Sequence, residues 1–203
     1  MRSIFCACVC SLFIASASHS SIIVTVGDVQ LQPNEANQAV PILVSSPDNT
    51  PAVAAFNLVA QLGDGVGGSA EPKFSGAEDT LDGVDFLTGT IWPASSTTSG
   101  TGPVMDFPYF ATASVAIEGG GTTVADGILV TLFVDTTGFD SGTYDLLVSA
   151  SQGNDSAFVL PGGSEFSPEI RNGSITIVPE PTACGLFMVF VVVGLARGSK
   201  RIR

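Results

Sequence analysis

The chain has 203 residues, of which 45% are hydrophobic and 13% are charged, and its net charge is −12. Five of the seven cations lie at the two ends of the chain, so the interval from Asp28 to Glu180 holds all 19 acids and only two cations, Lys73 and Arg171. A surface this acidic repels phosphate backbones and anionic headgroups, which excludes nucleic acid and anionic lipid as partners of this interval.

The cysteines and the single histidine lie outside the middle of the chain. Cys10 is the last of three near the N-terminus, Cys184 is in the last apolar stretch, and His19 is at the edge of the first. The interval between Cys10 and Cys184 therefore cannot form a disulfide scaffold or a thiolate metal site. Catalysis through Ser-His-Asp or Cys-His and the usual histidine zinc sites are excluded as well, which leaves carboxylates and hydroxyls for chemistry.

The first residues follow the order of an export signal. Arg2 supplies a positive start, an apolar run follows from Ile4 to Ala15, and Ala15-Ser16-Ala17 is a small-x-small cleavage site. This order predicts a signal peptide over 1–17, removed by signal peptidase, with the mature chain starting near Ser18. The alternative is a buried first helix or strand of the domain.

The body, 18–177, has the pattern of strands. Short apolar runs recur between Gly, Pro, Asn and Asp, and none keeps a 3.6-residue period for three turns, so no substantial helix is expected. Seven or more strands in one domain predict an all-β fold, a jelly-roll type β-sandwich. The predicted strands are Ile22–Val26, Ala39–Ser45, Val53–Leu62, Phe110–Ile117, Ile128–Asp135, Thr143–Ser149 and Ser174–Val178.

Alternation along these strands predicts which face is buried. The strand from Ile128 is apolar on both faces, so we expect it to be central. We expect the strand from Thr143 to be its hairpin partner, joined by a turn over 136–142. The predicted core residues are Val40, Ile42, Val44, Ala111, Ala113, Val115, Ile117, Ile128, Val130, Leu132, Val134, Tyr144, Leu146 and Val148.

The alternation breaks down between Gly63 and Gly102. The stretch Gly63–Gly68 predicts a flexible turn, and Ala94–Gly102 predicts a loop rich in Ser, Thr and Gly. We expect the functional loops of the protein in this region.

An acidic segment within this region is a candidate calcium site. Glu78, Asp79, Asp82 and Asp85 place four carboxylates in eight residues, and Ca²⁺ prefers oxygen ligands of this kind. The spacing does not match an EF-hand, and the alternative is a solvated acidic loop. Calcium is the only cofactor that the sequence suggests.

Aromatic residues suggest a second candidate site. Trp92, with Phe86 and Tyr109 nearby in sequence, could form a platform on which sugar rings stack. The alternative is that Trp92 is buried in the core or covers an edge of the sandwich.

Pairs of carboxylates are the only route to catalysis that the composition leaves open. Asp82 with Asp85, or Glu165 with Glu169, could act as acid and base in glycoside hydrolysis, but this chemistry needs two groups that face each other across a cleft. Spacing along the sequence does not indicate such a pair, so we predict that the chain is not an enzyme.

The stretch from Ala125 to Asp135 is a glycine-led apolar strand, and Ser141 to Leu146 has the Gly-Thr-Tyr pattern of its hairpin partner. These strands resemble the late strands of cohesin-like modules, and Val53–Leu62, with Phe56 and Leu58 on one face, fits the same scheme. The resemblance implies a jelly-roll sandwich of the cohesin and carbohydrate-binding-module type. It does not imply dockerin binding, for which the sequence has no diagnostic residues.

The last 26 residues, 178–203, have three parts. Val178, Pro179, Glu180 and Pro181 precede an apolar run from Thr182 to Ala196. Fifteen helical residues span about 22 Å, less than the roughly 30 Å of a bilayer core, so the predicted transmembrane helix is a marginal anchor. The chain ends in a basic tail that should stay cytoplasmic, and its cations are Arg197, Lys200, Arg201 and Arg203.

This layout resembles the PEP-CTERM sorting signal of bacterial surface proteins. The resemblance implies recognition by an exosortase, transient membrane insertion, removal of the tail, and delivery to the cell surface or to a matrix rich in exopolysaccharide. The alternative is an ordinary C-terminal anchor.

Together these features predict an exported, non-enzymatic surface or extracellular-matrix protein. It would pass through an inner-membrane intermediate and bind polysaccharide or another surface component. The alternatives are a dedicated carbohydrate-binding module and a small glycan-active hydrolase.

Overall fold

The computed structural model describes residues 22–47, 52–65, 71–76, 80–104, 107–148 and 156–179, with the backbone alone at 101–104 and 107–108. The predicted signal peptide, 1–17, lies outside these residues, as do the apolar run and the basic tail within 180–203. No helix in the described part of the chain has the length and apolar character of a membrane span.

The described residues form strands joined by turns. The one helical element among them is a 3₁₀ turn, Glu118–Gly120. The strands, in chain order, are β1 (Ile23–Thr25), β2 (Asp28–Leu31), β3 (Gln38–Ser45), β4 (Ala52–Val53), β5 (Ala55–Leu62), β6 (Lys73–Phe74), β7 (Val84–Asp85), β8 (Ser96–Val104), β9 (Phe107–Ile117), β10 (Thr123–Val124), β11 (Gly127–Asp135), β12 (Gly142–Val148), β13 (Ala157–Val159), β14 (Glu165–Phe166), β15 (Glu169–Arg171) and β16 (Gly173–Ile177).

Two sheets carry nearly all of these strands. The first sheet has the order β15-β1-β3-β11-β6, and β7 also pairs with β11. The second sheet has the order β14-β13-β5-β12-β16-β2, and β9 pairs with β5 and with β8. Buried residues from both sheets form one core cluster, so the fold is an all-β sandwich.

The predicted alternation is confirmed in the regular strands. Val40, Ile42 and Val44 of β3 are buried while the residues between them are exposed, and in β9 buried Ala111, Ala113 and Val115 alternate with half-buried Thr112 and Ser114. Each fully buried aliphatic side chain stabilises the fold by about 1.5–3 kcal/mol relative to an exposed one.

A β-bulge changes the inward face of β11. The register to β3 shifts between Ile128 and Val130, so Leu129 is fully buried and Ile128 lies half-buried on the other side. The prediction that Ile128 belongs to the core is therefore wrong, because a bulge inserts one residue and exchanges the two faces on one side of it. Val130, Leu132 and Val134 are buried as predicted.

The predicted hairpin of β11 and β12 is also wrong. β11 pairs with β3, β6 and β7, whereas β12 pairs with β5 and β16, so the connection over 136–141 crosses from the first sheet to the second. Buried Thr136 anchors this crossing, since its hydroxyl lies within hydrogen-bond distance of the carbonyls of Gln32 and Glu35.

The predicted loop Ala94–Gly102 is largely a strand. β8 pairs with β9 from Ser96 to Val104 and has no second partner strand among the described residues. An edge strand needs few apolar residues. Because β8 consists mainly of Ser, Thr and Gly, its sequence shows no alternation of apolar and polar residues that would predict a strand.

The first and last strands bind both sheets together. β1 runs parallel to β15 in the first sheet, and β2 runs parallel to β16 in the second. The β1–β2 segment and the β15–β16 segment cross from one sheet to the other side by side. At this crossing the Ser174 amide donates a hydrogen bond to the Gly27 carbonyl. A Cβ on Gly173 would lie 1.8 Å from that carbonyl oxygen, so only glycine fits this crossing.

We predict that Gly173→Ala destabilises the protein by about 3 kcal/mol, because the methyl group forces the two crossing strands apart. Gly89→Ala is the matched control: Gly89 has a φ of +69° but no atom within 4 Å of an added Cβ, so the cost there is about 1 kcal/mol of backbone strain. Chemical denaturation of both variants checks this. Equal costs at the two positions would contradict the steric account.

Candidate functional site

The outer face of the second sheet holds an open groove of about 600 Å³. It lies over β5, β9 and β13 and is bordered by β14 and the segment after it. Its polar lining residues are Asn57, Thr112, Ser114, Glu165 and Ser167.

A row of short polar side chains crosses the groove. Asn57 of β5 is opposite Ser114 of β9 on one side and Ala157 of β13 on the other, and Ser114 is opposite Ser99 of β8. The two serine hydroxyls are 2.8 Å apart. Neighbouring strands lie about 4.8 Å apart, so the row offers hydrogen-bonding groups at a regular spacing.

Small residues keep the groove open and let the strands approach closely. Gly100 of β8 has a φ of +129°, and a Cβ there would lie 2.6 Å from the Ala113 Cα and the Thr112 carbonyl. Gly100, Ala113 and Ala157 all line the groove. The depth of the groove therefore depends on residues without bulky side chains.

Buried Ser156 fixes one wall. Its hydroxyl accepts from the Val59 amide at 2.8 Å and donates to the Val59 carbonyl at 3.1 Å. Val59 lies between the part of β5 that pairs with β13 and the part that pairs with β12. The serine hydroxyl thus makes the hydrogen bonds of the Val59 backbone at the point where β5 stops pairing with β13 and begins to pair with β12. It also sets the position of β13 beside the groove.

The groove is suited to binding by hydrogen bonds. Among the described residues that line it, Glu165 alone is charged. Glu169, its predicted catalytic partner, belongs to the first sheet and forms an ion pair with Arg171 at 2.9 Å. The two carboxylates therefore do not face each other across this groove.

The predicted calcium ligands fall into two groups. Glu78 and Asp79 lie outside the described residues, and Asp82 is exposed. Asp85 accepts the amides of Leu87 and Thr88 at 2.8 and 2.9 Å, which caps the turn after β7. The described residues include no group of three or more His, Cys, Asp or Glu that could hold a metal ion.

These hydrogen bonds shift the titration of Asp85. Burial raises the pKa of this carboxyl, but hydrogen bonds from the Thr88 side chain and from the Thr88 and Leu87 amides outweigh burial and lower the pKa below its ordinary value of 3.8. The ionised form therefore stabilises the folded state.

Tyr144 also has a shifted titration. Burial, followed by the negative charge of Glu71, raises the pKa of its hydroxyl above the ordinary 10.0. Its ring packs against the core and meets Phe139 edge-on at 6.0 Å. Tyr144 is thus a neutral structural residue at pH 7.

The predicted aromatic platform does not form around Trp92. Trp92 is only 3% exposed, and its indole N–H donates to the Leu129 carbonyl at 2.9 Å. Phe86 is buried as well, and Tyr109 is half-buried in β9. The structure thus agrees with the alternative interpretation of Trp92 as core, and its ring has no free face for a sugar.

The predicted sorting motif begins directly after the last strand. β16 ends at Ile177, the Val178 amide still donates to the Leu31 carbonyl at 3.1 Å, and Val178 and Pro179 are exposed. Glu180 and Pro181 lie outside the described residues, as do Arg197, Lys200, Arg201 and Arg203.

Solved structures resemble this sandwich, although no family model and no curated protein matches the chain. The sixth cohesin of Acetivibrio cellulolyticus scaffoldin B, solved with a Cel5 dockerin, is 10% identical with a TM-score of 0.54, over 78% of this chain and 100% of that one. The non-cellulosomal cohesin of Archaeoglobus fulgidus is 16% identical with a TM-score of 0.54, over 82% and 98%.

A third structure is the Coh-OlpC–Doc435 type I cohesin–dockerin complex of Clostridium thermocellum, which is 13% identical with a TM-score of 0.54, over 82% of this chain and 99% of that one. The fold is a cohesin-like β-sandwich. The resemblance inferred from the late strands is confirmed at the level of the fold, although the pairing expected for those strands is not.

We predict that Asp85→Asn lowers the free energy of unfolding by about 1 kcal/mol at pH 7, because the charged hydrogen-bond acceptor is lost. Since the folded pKa is depressed, this contribution is present above the unfolded value and disappears as the pH falls through the folded pKa. Denaturation of parent and variant between pH 7 and 2.5 measures the difference.

Asp82→Asn serves as the control for this experiment, since it removes an equal charge from an exposed neighbour. A difference between parent and Asp85→Asn that stays constant down to pH 2.5 would show that the charge on Asp85 does not stabilise the turn.

Proposed function

We propose that this protein is an exported, non-enzymatic surface module that binds a partner protein through the groove of the second sheet. The observation that carries this proposal is the pair of Ser114 and Asn57 side by side in the groove, continued by Ser99 on the neighbouring strand β8. Paired strands hold such groups in place before binding, which reduces the entropy lost on association.

Binding suits the groove better than catalysis does. Its described lining has hydroxyl and amide groups but one carboxylate, Glu165, whereas glycoside hydrolysis needs two facing carboxyl groups. The cohesins that share the fold include two solved as complexes with dockerins, which supports a protein as the ligand.

A protein partner suits the groove better than a polysaccharide does. Sugar rings pack on exposed aromatic faces, but the described residues that line the groove include no aromatic side chain, and Trp92 is buried. Glu165 and the acidic body favour a neutral or basic contact surface on the partner, because complementary charge speeds the encounter.

We propose in addition that an exosortase sorts the protein through Val178, Pro179, Glu180 and Pro181. The order of motif, apolar run and basic tail supports this step. The exposure of Val178 and Pro179 directly after β16 is compatible with a protease that binds an extended segment.

We predict that the protein recovered from its envelope starts near Ser18 and ends near Glu180. The simultaneous substitutions Pro179→Ala, Glu180→Ala and Pro181→Ala should abolish cleavage at the second site only, because they remove the proposed recognition motif. Intact mass and terminal sequencing check both ends. An uncleaved C-terminus in the parent would contradict sorting.

The groove is tested with a photo-reactive residue in the producing cells. We predict that p-benzoylphenylalanine in place of half-buried Ser114 gives a discrete adduct of higher mass that protease removes. The same residue in place of Gln30, an exposed position on β2 of the same sheet, is the control and should give none. An adduct at Ser114 that only glycoside hydrolases remove would assign the groove to polysaccharide instead.

A further inference from the structure

The outer face of the first sheet carries apolar side chains that the core does not use. Leu43 is 47% exposed, Ala39 and Pro41 are exposed, and Ile23, Ile128 and Phe133 are half-buried. None of these six residues belongs to the core cluster or packs against it. We call them the apolar stripe.

The apolar stripe is continuous across three strands. Leu43 of β3 is opposite Thr25 of β1 on one side and Ile128 of β11 on the other. Further along the same pair, Phe133 is opposite Ala39. The stripe therefore runs along the length of β3, the middle strand of the sheet.

The charges beside the stripe are unlike those elsewhere on the body. The only two cations among the described residues are Arg171 of β15 and Lys73 of β6, the edge strands of this sheet. Arg171 forms an ion pair with Glu169, and Lys73 is opposite Asp135. The strands of the first sheet hold two cations and three acids, whereas the other described residues hold ten acids and no cation.

We infer that a second copy of this chain packs on the apolar stripe. Two copies of an acidic body repel each other, and this face is where that repulsion is smallest. At each edge of the sheet a cation lies beside an acid. In a dimer, each of these charges can therefore lie near a charge of opposite sign on the other copy. Isologous pairing through one such self-complementary face is the commonest form of oligomer.

The size of the face indicates the strength of this pairing. The eight residues of β3 and the five strands from β15 to β6 define a patch of about 26 by 19 Å, or roughly 500 Å². Stable complexes bury about 800 Å² per partner, and smaller interfaces are weak and transient. We therefore expect a dimer that dissociates on dilution.

Pairing through the first sheet leaves the groove of the second sheet open. A dimer would present two grooves on opposite sides, and two binding sites held together raise the avidity for a partner that repeats on a surface. The inference stands on the first sheet alone and does not require that the groove binds a protein.

Sedimentation velocity of the purified protein over a hundredfold range of concentration tests the pairing. We expect the parent to shift from monomer to dimer across this range. Leu43→Asp should weaken dimerisation at least tenfold, because it places a charge in the middle of the stripe. Leu43→Ser should weaken it less, because it removes apolar surface without adding charge.

Gln30→Asp is the matched control, since it adds the same charge at an exposed position of the second sheet and should dimerise like the parent. Leu43 lies outside the core, so at concentrations where the parent is a monomer all variants should keep its unfolding midpoint. A parent that stays monomeric throughout would overturn the inference, and so would a Leu43→Asp dimer of parental affinity. An associated mass that is not twice the chain would also overturn it, because the assembly would not be an isologous dimer.

Discussion

The structure depends on one close crossing of the first and last strands. The β1–β2 and β15–β16 segments lie side by side in both sheets, and they pass between the sheets where Gly173 meets Gly27. Because the same two segments belong to both sheets, this contact fixes how the inner faces meet over a common core. The two outer faces are then free to differ in chemistry.

The difference between the outer faces is the basis of the functional account. The second sheet presents hydroxyl and amide groups in an open groove, and Gly100 lets β8 approach β9 closely beside it. The first sheet presents an apolar stripe with paired charges at its edges. A polar groove suits hydrogen bonding to a partner, whereas an apolar face with nearly balanced charge suits association between copies of an acidic chain.

Local alternation predicted the regular strands because one face of each is buried, as in β3 and β9. It could not predict the bulge at Leu129, because apolar residues occupy both faces there and the register depends on a distant strand. The crossing after Asp135 and the polar edge strand β8 depend on non-local pairing in the same way. The groove could not be predicted from the sequence, because its polar row joins residues from three strands that are separated along the chain, and the platform predicted around Trp92 does not form because that side chain is buried.

The central claim is that the groove is occupied at the cell surface, and maleimide labelling tests it most directly. The described residues contain no cysteine, so Ser114→Cys introduces a single thiol there, and labelling of the parent corrects for Cys6, Cys8, Cys10 and Cys184. The account predicts that this thiol reacts at least tenfold more slowly on cells than in the purified protein, while Gln30→Cys reacts equally in both. Equal rates for Ser114→Cys would contradict the account.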